Sequence, residues 1–378
     1  MKISVQVKLL PSPEQAELLK QTIERANAAC DYISEVAWST KTFNKFALQK
    51  LVYQDVKDKF ELTAQVVIRC IAKVVDAYKL DRKTKRSFKP FGAIAYDSRI
   101  LRYKWAKGLV SIWTLKGRED VAYITGARQT ELLKKQQGES DLCLVAGKFY
   151  LYSICDIETP TPDDALGALG VDLGIVNIAT DSDGEKVSGS HVKSVRHRHR
   201  RLRQRLQKKG TKSAKRRLKK LSGKERRFSK DTNHVIAKRI VDKTKRTNRA
   251  ISLENLKGIR ARVRARKPER TTLHSWAFAQ LAAFIAYKAQ LAGVKVVYID
   301  PRNTSRECSK CGHVAKANRK TQDRFECQGC GFALHADINA ARNIASRAEV
   351  KLPSVWNETE VSLHGSSRAS QRALAVGT

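Results

Sequence analysis

Leu169-Gly-Val-Asp172-Leu-Gly174-Ile-Val-Asn-Ile-Ala179 decides the fold. It holds two adjoining apolar, strand-like runs, and the first carries a carboxylate. An acid flanked by Val171 and Leu173 is costly unless it meets a metal or a proton. Asp183-Gly184, ahead of Lys186-Val-Ser188, suits a hairpin turn. Upstream, Thr159-Pro-Thr-Pro162 reads as a linker, so a new core opens here.

Two more acids sit at comparable places. Glu254 closes the strand-like run Ile251-Ser-Leu-Glu254, and Asp337 opens the helical run Asp337-Ile-Asn-Ala-Ala-Arg-Asn-Ile-Ala345. Between them, residues 272–292 read as an amphipathic helix with Leu273, Trp276, Leu281, Phe284 and Tyr287 on its apolar stripe, and residues 294–299 as a strand. A lone acid at such a position is usually a cap or an ion-pair partner. The order is more telling: an acid on a first strand, a hairpin, helices, an acid on a later strand, then a helix-borne acid. That is the carboxylate layout of an RNase H-like fold. Three hard oxygen donors suit Mg²⁺. Two such ions would activate a water and stabilise the leaving 3′ oxygen of a phosphodiester.

Cys308-x-x-Cys311 and Cys327-x-x-Cys330, fifteen residues apart, fall between the second and third acids. Two thiolate pairs at this spacing complete a tetrahedral Zn²⁺ site with no open position, which makes the metal structural. Gly312 and Gly331 follow the pairs and suit the turns. A full thiolate set leaves His313 and His335 no ligand role. The other cysteines, Cys30, Cys70, Cys143 and Cys155, lie in apolar contexts and read as core packing. No disulfide framework emerges, and a reducing compartment fits.

The chain carries 74 Lys and Arg against 37 Asp and Glu, a formal charge of +37. Such an excess points to a polyanionic partner, above all nucleic acid. It peaks in residues 191–230, with 19 basic residues and a single acid, Glu225. Leu202, Leu206, Leu218 and Leu221 recur through that segment, so it reads as a helical region that folds against the core and gains stability on a polyanion. The phosphate-contact candidates are Arg196, Arg198, Arg200, Arg201, Arg203, Arg205, Lys208, Lys209, Lys212, Lys215, Arg216 and Arg217. The start resembles no signal peptide, and no run reaches the length of a membrane span. A soluble, intracellular protein is expected.

Toward the N-terminus, residues 3–9 alternate as a strand, and Ser12-Pro13-Glu14-Gln15 opens a helix with a capping box. Leu19, Ile23, Ala26, Cys30, Ile33 and Ala37 continue it, and a second helix is expected over residues 62–80. Residues 87–152 read as short strands of a barrel-like or sandwich domain, with which the opening strand pairs, so a helical insert interrupts one β-domain. Trp105 and Trp113 are expected in the core more than as platforms for bases. Beyond Pro353 a disordered tail is expected.

These stretches, with Asp300-Pro-Arg-Asn-Thr-Ser-Arg-Glu-Cys308 and Leu10-Pro-Ser-Pro-Glu-Gln15, resemble the TnpB family of transposon-encoded RNA-guided DNA endonucleases, relatives of the type V CRISPR effectors. The similarity is dense over residues 168–345 and thin over 16–160. The resemblance implies an α+β multidomain protein. A RuvC nuclease domain of RNase H-like fold would span 165–303 and 334–350, with a zinc ribbon at 304–333 inserted. A β-barrel-like wedge domain would span 1–11 and 81–160, and a helical recognition insert 12–80. Residues 351–378 would be the tail. It implies Asp172, Glu254 and Asp337 as Mg²⁺-binding catalytic acids, a guide RNA from the transposon end, double-stranded target DNA, and one protein copy per guide. It places the protein in the prokaryotic cytoplasm, on the nucleoid when bound to DNA. His335 departs mildly from the family pattern, and the helical insert is short. An RNA-guided repressor without cleavage would show a missing acid. A transposase or a guide-independent nuclease are the other readings of the same acids.

Overall fold

Strand β1 (Lys2–Leu10) stops at Pro11, and Ser12 caps the helix that follows. In the computed structural model, residues 1–162, 164–256 and 278–350 are described. The chain divides into two units after Glu158. The expected tail, and Leu273 and Trp276 of the expected 272–292 helix, lie outside the described residues.

In the first unit the Ser12–Gln15 capping box is formed, with Pro13 in the first turn of α1 (Pro13–Ser39). All six residues expected on its apolar stripe are fully buried. Helices α2 (Lys45–Phe60) and α3 (Ala64–Leu80) complete the insert. The periodicity of α3 is legible in sequence, whereas α2 is not anticipated. It buries only Leu48, Val52 and Val56, and leaves Phe46 and Leu51 in solvent, which blurs its stripe. The chain then runs through β2 (Ile94–Tyr96), β3 (Leu101–Lys104), β4 (Leu109–Thr114), β5 (Gly117–Ile124), the short α4 (Ala127–Leu133), β6 (Gln136–Val145) and β7 (Lys148–Asp156).

These strands form one antiparallel sheet in the order β2-β6-β7-β1-β5-β4-β3. The opening strand is its centre, paired on both sides by strands more than 100 residues away. The sheet curls into a near-closed barrel. The Tyr96 hydroxyl on β2 donates to the Trp113 carbonyl on β4 at 3.0 Å, and Tyr103 on β3 meets Ser153 on β7 at 2.9 Å. Trp113 is buried as expected. Trp105 is not; it lies in a single turn past the end of β3, 39% exposed, with its ring stacked on Tyr103 at 4.7 Å. Cys30, Cys70 and Cys155 are buried, but Cys143 is only half-buried.

The second unit is built on a mixed sheet of order β10-β9-β8-β11-β12. Strand β8 (Ala168–Asp172) pairs antiparallel with β9 (Asn177–Asp181), which pairs antiparallel with β10 (Lys186–Ser188) across the Asp183-Gly184 turn. On its other side β8 runs parallel to β11 (Ala250–Glu254), and β11 parallel to β12 (Val296–Ile299). Two basic helices, α5 (Ser190–Lys209) and α6 (Lys212–Arg246), connect β10 to β11, and α7 (Phe278–Ala292) precedes β12. Leu169, Val171, Ile251 and Leu253 pack against Ile236, Ile240, Leu281 and Ile285 on one face. The final helix, α8 (Ala336–Glu349), covers the other face. Gly170 permits this: a Cβ there would lie 2.0 Å from the Ala341 carbonyl oxygen and 2.5 Å from the Ala345 nitrogen. The hairpin β13 (Arg324–Glu326) and β14 (Ala333–His335) stands between β12 and α8.

Candidate functional site

The alternation of β8 explains where its acid points. Leu169 and Val171 enter the core under α6 and α7, so Gly170 and Asp172 face α8. Leu253 pairs with Val171 on the neighbouring parallel strand, which puts Glu254 beside Asp172 at the strand ends. Asp337 stands in the first turn of α8, where the positive end of the helix dipole favours a carboxylate. The three acids, distant in sequence, share one end of one sheet.

Their electrostatics follow from that placement. Burial, then the charges of Glu254 and Asp337, push the Asp172 carboxyl up to about 7, with Arg319 pulling the other way. Among the described residues no group donates a hydrogen bond to it. Burial also raises Glu254, opposed by the Thr304 hydroxyl at 2.5 Å and by Arg347. Asp337, 5% exposed, accepts from the Asn177 amide at 2.9 Å and faces Arg319 at 3.5 Å. Among the described residues, only the four thiols bring three or more such donors together around a point; the carboxylates stand further apart.

The supporting residues carried little sequence signal. Thr304 holds Glu254 while also donating to the Pro301 carbonyl. Asn339, Asn343 and Arg347, at successive turns of α8, grip the segment after β12. Asn343 donates to the carbonyls of Thr304 and Glu307, Asn339 to that of Glu307, and Arg347 to those of Asp300 and Arg302. Ser252 on β11 donates to the Ile344 carbonyl. Spacing of four along an asparagine-bearing helix was the one available hint. At the family departure, His335 caps α8 by accepting the Asp337 N–H on Nδ1 at 3.2 Å.

The four cysteine sulfurs lie within 4.8 Å of one another. Two matching knuckles place them. The amides of Gly312 and Gly331 donate back to the carbonyls of Cys308 and Cys327, and both glycines hold φ near +70°, at +76° and +69°. Cys308 and Cys327 are buried beside Phe325 and Ala336, whereas Cys311 and Cys330 are exposed. Burial opposes ionisation of Cys327, yet the backbone amides of Cys330 and Gly329 and the neighbouring thiols outweigh it and bring the thiol down to about 6. Four converging thiols, one already inclined to ionise, suit a closed structural zinc site. His313 and His335 stay outside the set.

The basic segment is a helical hairpin broken at Gly210, which takes φ +65° at the end of α5. Leu206 and Leu221 are buried, with Leu202 and Leu218 half-buried. Arg203 is held by Glu225, the lone acid of residues 191–230. Burial lowers the pKa of Arg196. The remaining ten candidate phosphate contacts are exposed.

A mixed sheet with three acids at one end, followed by a four-cysteine ribbon, defines a class, and comparison with known proteins agrees. Residues 151–259 match the OrfB_IS605 family, described as "Probable transposase", and residues 278–344 match the Cas12f1-like TNB domain. These two stretches of the chain are thus similar to the TnpB/OrfB_IS605 family and to the Cas12f-like TNB domain. It is 32% identical over 133 residues to the TnpB-like protein MJ0751 of Methanocaldococcus jannaschii, covering 35% of this chain and 47% of that one. It is 28% identical over 242 residues to "Putative RNA-guided DNA endonuclease InsQ" of Escherichia coli K12, covering 60% of each. It also matches CRISPR-associated Cas12f endodeoxyribonucleases at 31–42% identity, spanning 27–43% of their length. The solved mini-RNA-guided endonuclease CRISPR-Cas_phi3 aligns over 92% of both chains with a TM-score of 0.55 at 10% identity, a likeness of fold. The mixed α+β architecture, the near-closed barrel and the cysteine cluster are those of a Cas12f/TnpB-like fold.

Proposed function

We propose that this chain is an RNA-guided DNA endonuclease whose second unit is a RuvC-type, RNase H-like nuclease with an inserted zinc ribbon. The observation that carries the reading is the placement of Asp172, Glu254 and Asp337 at one end of the mixed sheet, with Asp172 held near neutrality by burial and by the other two acids. Three oxygen donors in a half-buried setting fit Mg²⁺, which would polarise a phosphodiester and lower the pKa of an attacking water. Thr304 orients Glu254, Asn177 and Arg319 fix Asp337, and α8 keeps both acid-bearing segments in register with β8. The first unit would then serve as wedge (1–11 and 81–160) with its recognition insert (12–80), gripping guide RNA and a short DNA motif. Base pairing with the guide would read sequence. The exposed cations of α5 and α6 suit contact with phosphates.

The test has two arms. Protein purified from its host should carry a discrete RNA species from a neighbouring transposon end, identified by sequencing. With that RNA and Mg²⁺ it should cut a matched duplex, and Asp172→Ala should abolish cutting while guide and target binding persist. Undiminished cutting by Asp172→Ala sinks the acid-site assignment. Absence of any specific RNA favours a guide-independent enzyme.

A further inference from the structure

Strand β9 faces the acids with two polar side chains that the triad alone does not explain. Thr180 is the direct cross-strand partner of Asp172. Opposed residues of an antiparallel pair project from the same face with Cβ atoms about 5 Å apart. The Thr180 side chain is 1% exposed, and its hydroxyl has no hydrogen-bond partner. Asp172 likewise receives no hydrogen bond from any described group. A buried hydroxyl without a partner therefore stands across the strand pair from a half-buried carboxylate, and an unmade hydrogen bond on a buried group is destabilising. At the start of the same strand, Asn177 donates its amide to one oxygen of Asp337 at 2.9 Å and leaves the other to Arg319.

We infer that β9 is the positioning wall of the acid site, with Thr180 serving Asp172 and Asn177 serving Asp337 when a divalent cation is bound. The inference rests on the metal-site reading of the three acids. A cation engages part of each carboxylate and leaves lone pairs on the remaining oxygens. The Thr180 hydroxyl is a donor directly across the strand pair from Asp172. The Asn177 amide already holds Asp337 in one rotamer. Groups behind metal ligands orient them and raise affinity. Here both supports come from the hairpin that bears the first acid, so acid and supports move as one element.

The decisive variants are Thr180→Val, which keeps shape and removes the hydroxyl, and Thr180→Ser, which keeps the hydroxyl. Mn²⁺ binding to the full-length, guide-free protein is read by electron paramagnetic resonance, with Asp172→Ala defining the part that belongs to the acid site. Thr180→Val should weaken that component by about 10-fold or more, and Thr180→Ser should restore most of it. The melting temperature of Thr180→Val without Mn²⁺ should equal or exceed that of the wild type, because an unsatisfied buried hydroxyl has gone. A merely structural role predicts the reverse. In cleavage with guide RNA, the Mg²⁺ concentration for half-maximal rate should rise with target binding unmoved. Asn177→Leu should behave likewise in Mn²⁺ binding. Wild-type Mn²⁺ affinity in Thr180→Val, or equal losses in Thr180→Val and Thr180→Ser, overturns the role of Thr180 and leaves the metal site standing. Identical Mn²⁺ binding by the wild type and Asp172→Ala overturns the metal site itself.

Discussion

Asp172 is the residue on which the site turns, and its environment is a conflict. A carboxylate that burial and two like charges lift to about 7 is held protonated where an unfolded chain has already released its proton. Between the unfolded value near 4 and the folded value near 7, the folded state binds the extra proton. Its contribution to stability is therefore greatest at low pH and declines as pH rises through that window. Above about pH 7 the folded chain carries an ionised group it disfavours. Asp172→Asn removes this burden. In Mg²⁺-free buffer the variant should melt several degrees above the wild type near pH 8, and the gap should close as pH falls toward about 4. A gap that stays constant across that range contradicts the account. A bound cation would relieve the same conflict, because a nearby positive charge favours the ionised form.

At the scale of elements, α8 joins everything the site needs. It carries Asp337, packs on Gly170 of β8, and through Asn339 and Asn343 fixes the entry to the zinc ribbon, while Thr304 in that entry holds Glu254. The Ser309 amide also donates to Asn339, and Asn318 ties the ribbon's carbonyls of Arg306 and His313 together. Loss of the metal should therefore be felt at the acids. Replacing Cys308 and Cys311 together with Ser should remove about one zinc per chain, lower the melting temperature, and weaken Mn²⁺ binding at a site that contains no cysteine. Zinc content equal to the wild type contradicts the ribbon assignment. Such elements were unequally legible in sequence. The strand, hairpin and acid order of residues 168–188 could be read because alternation and turn chemistry are local. Asn177 could not be read as a partner of Asp337, because 160 residues separate them. Helix α2 was hidden because it buries only three of its sixteen residues, and Trp105 because an aromatic just past a strand end looks like the strand. The break at Gly210 lay within a charge run whose composition outweighed its single glycine.

For the molecule as a whole, a charge of +37 must be dispersed by a partner or by solvent. The helical hairpin of α5 and α6 concentrates that problem. The lone acid among residues 191–230, Glu225, pairs with Arg203 and also acts on Arg196, so the many exposed cations repel one another in the free protein. A polyanion laid along them relieves the repulsion and releases its own counterions, which makes affinity fall linearly with the logarithm of salt concentration. The structure separates two classes of basic residue here that the sequence could not. Arg203 stabilises the hairpin, whereas Arg198, Arg200, Arg201, Arg205, Lys208 and Lys209 point charge into solvent. Changing those six to Gln should reduce the salt slope for guide RNA by up to about four, at 0.7 per phosphate contact on a single strand. Stability at low salt should be unchanged or raised. Arg203→Gln should do the opposite, lowering the melting temperature with little effect on the slope. A six-residue variant with the wild-type slope would mean that the polyanion lies elsewhere on the chain, and the barrel of the first unit would become the next surface to test.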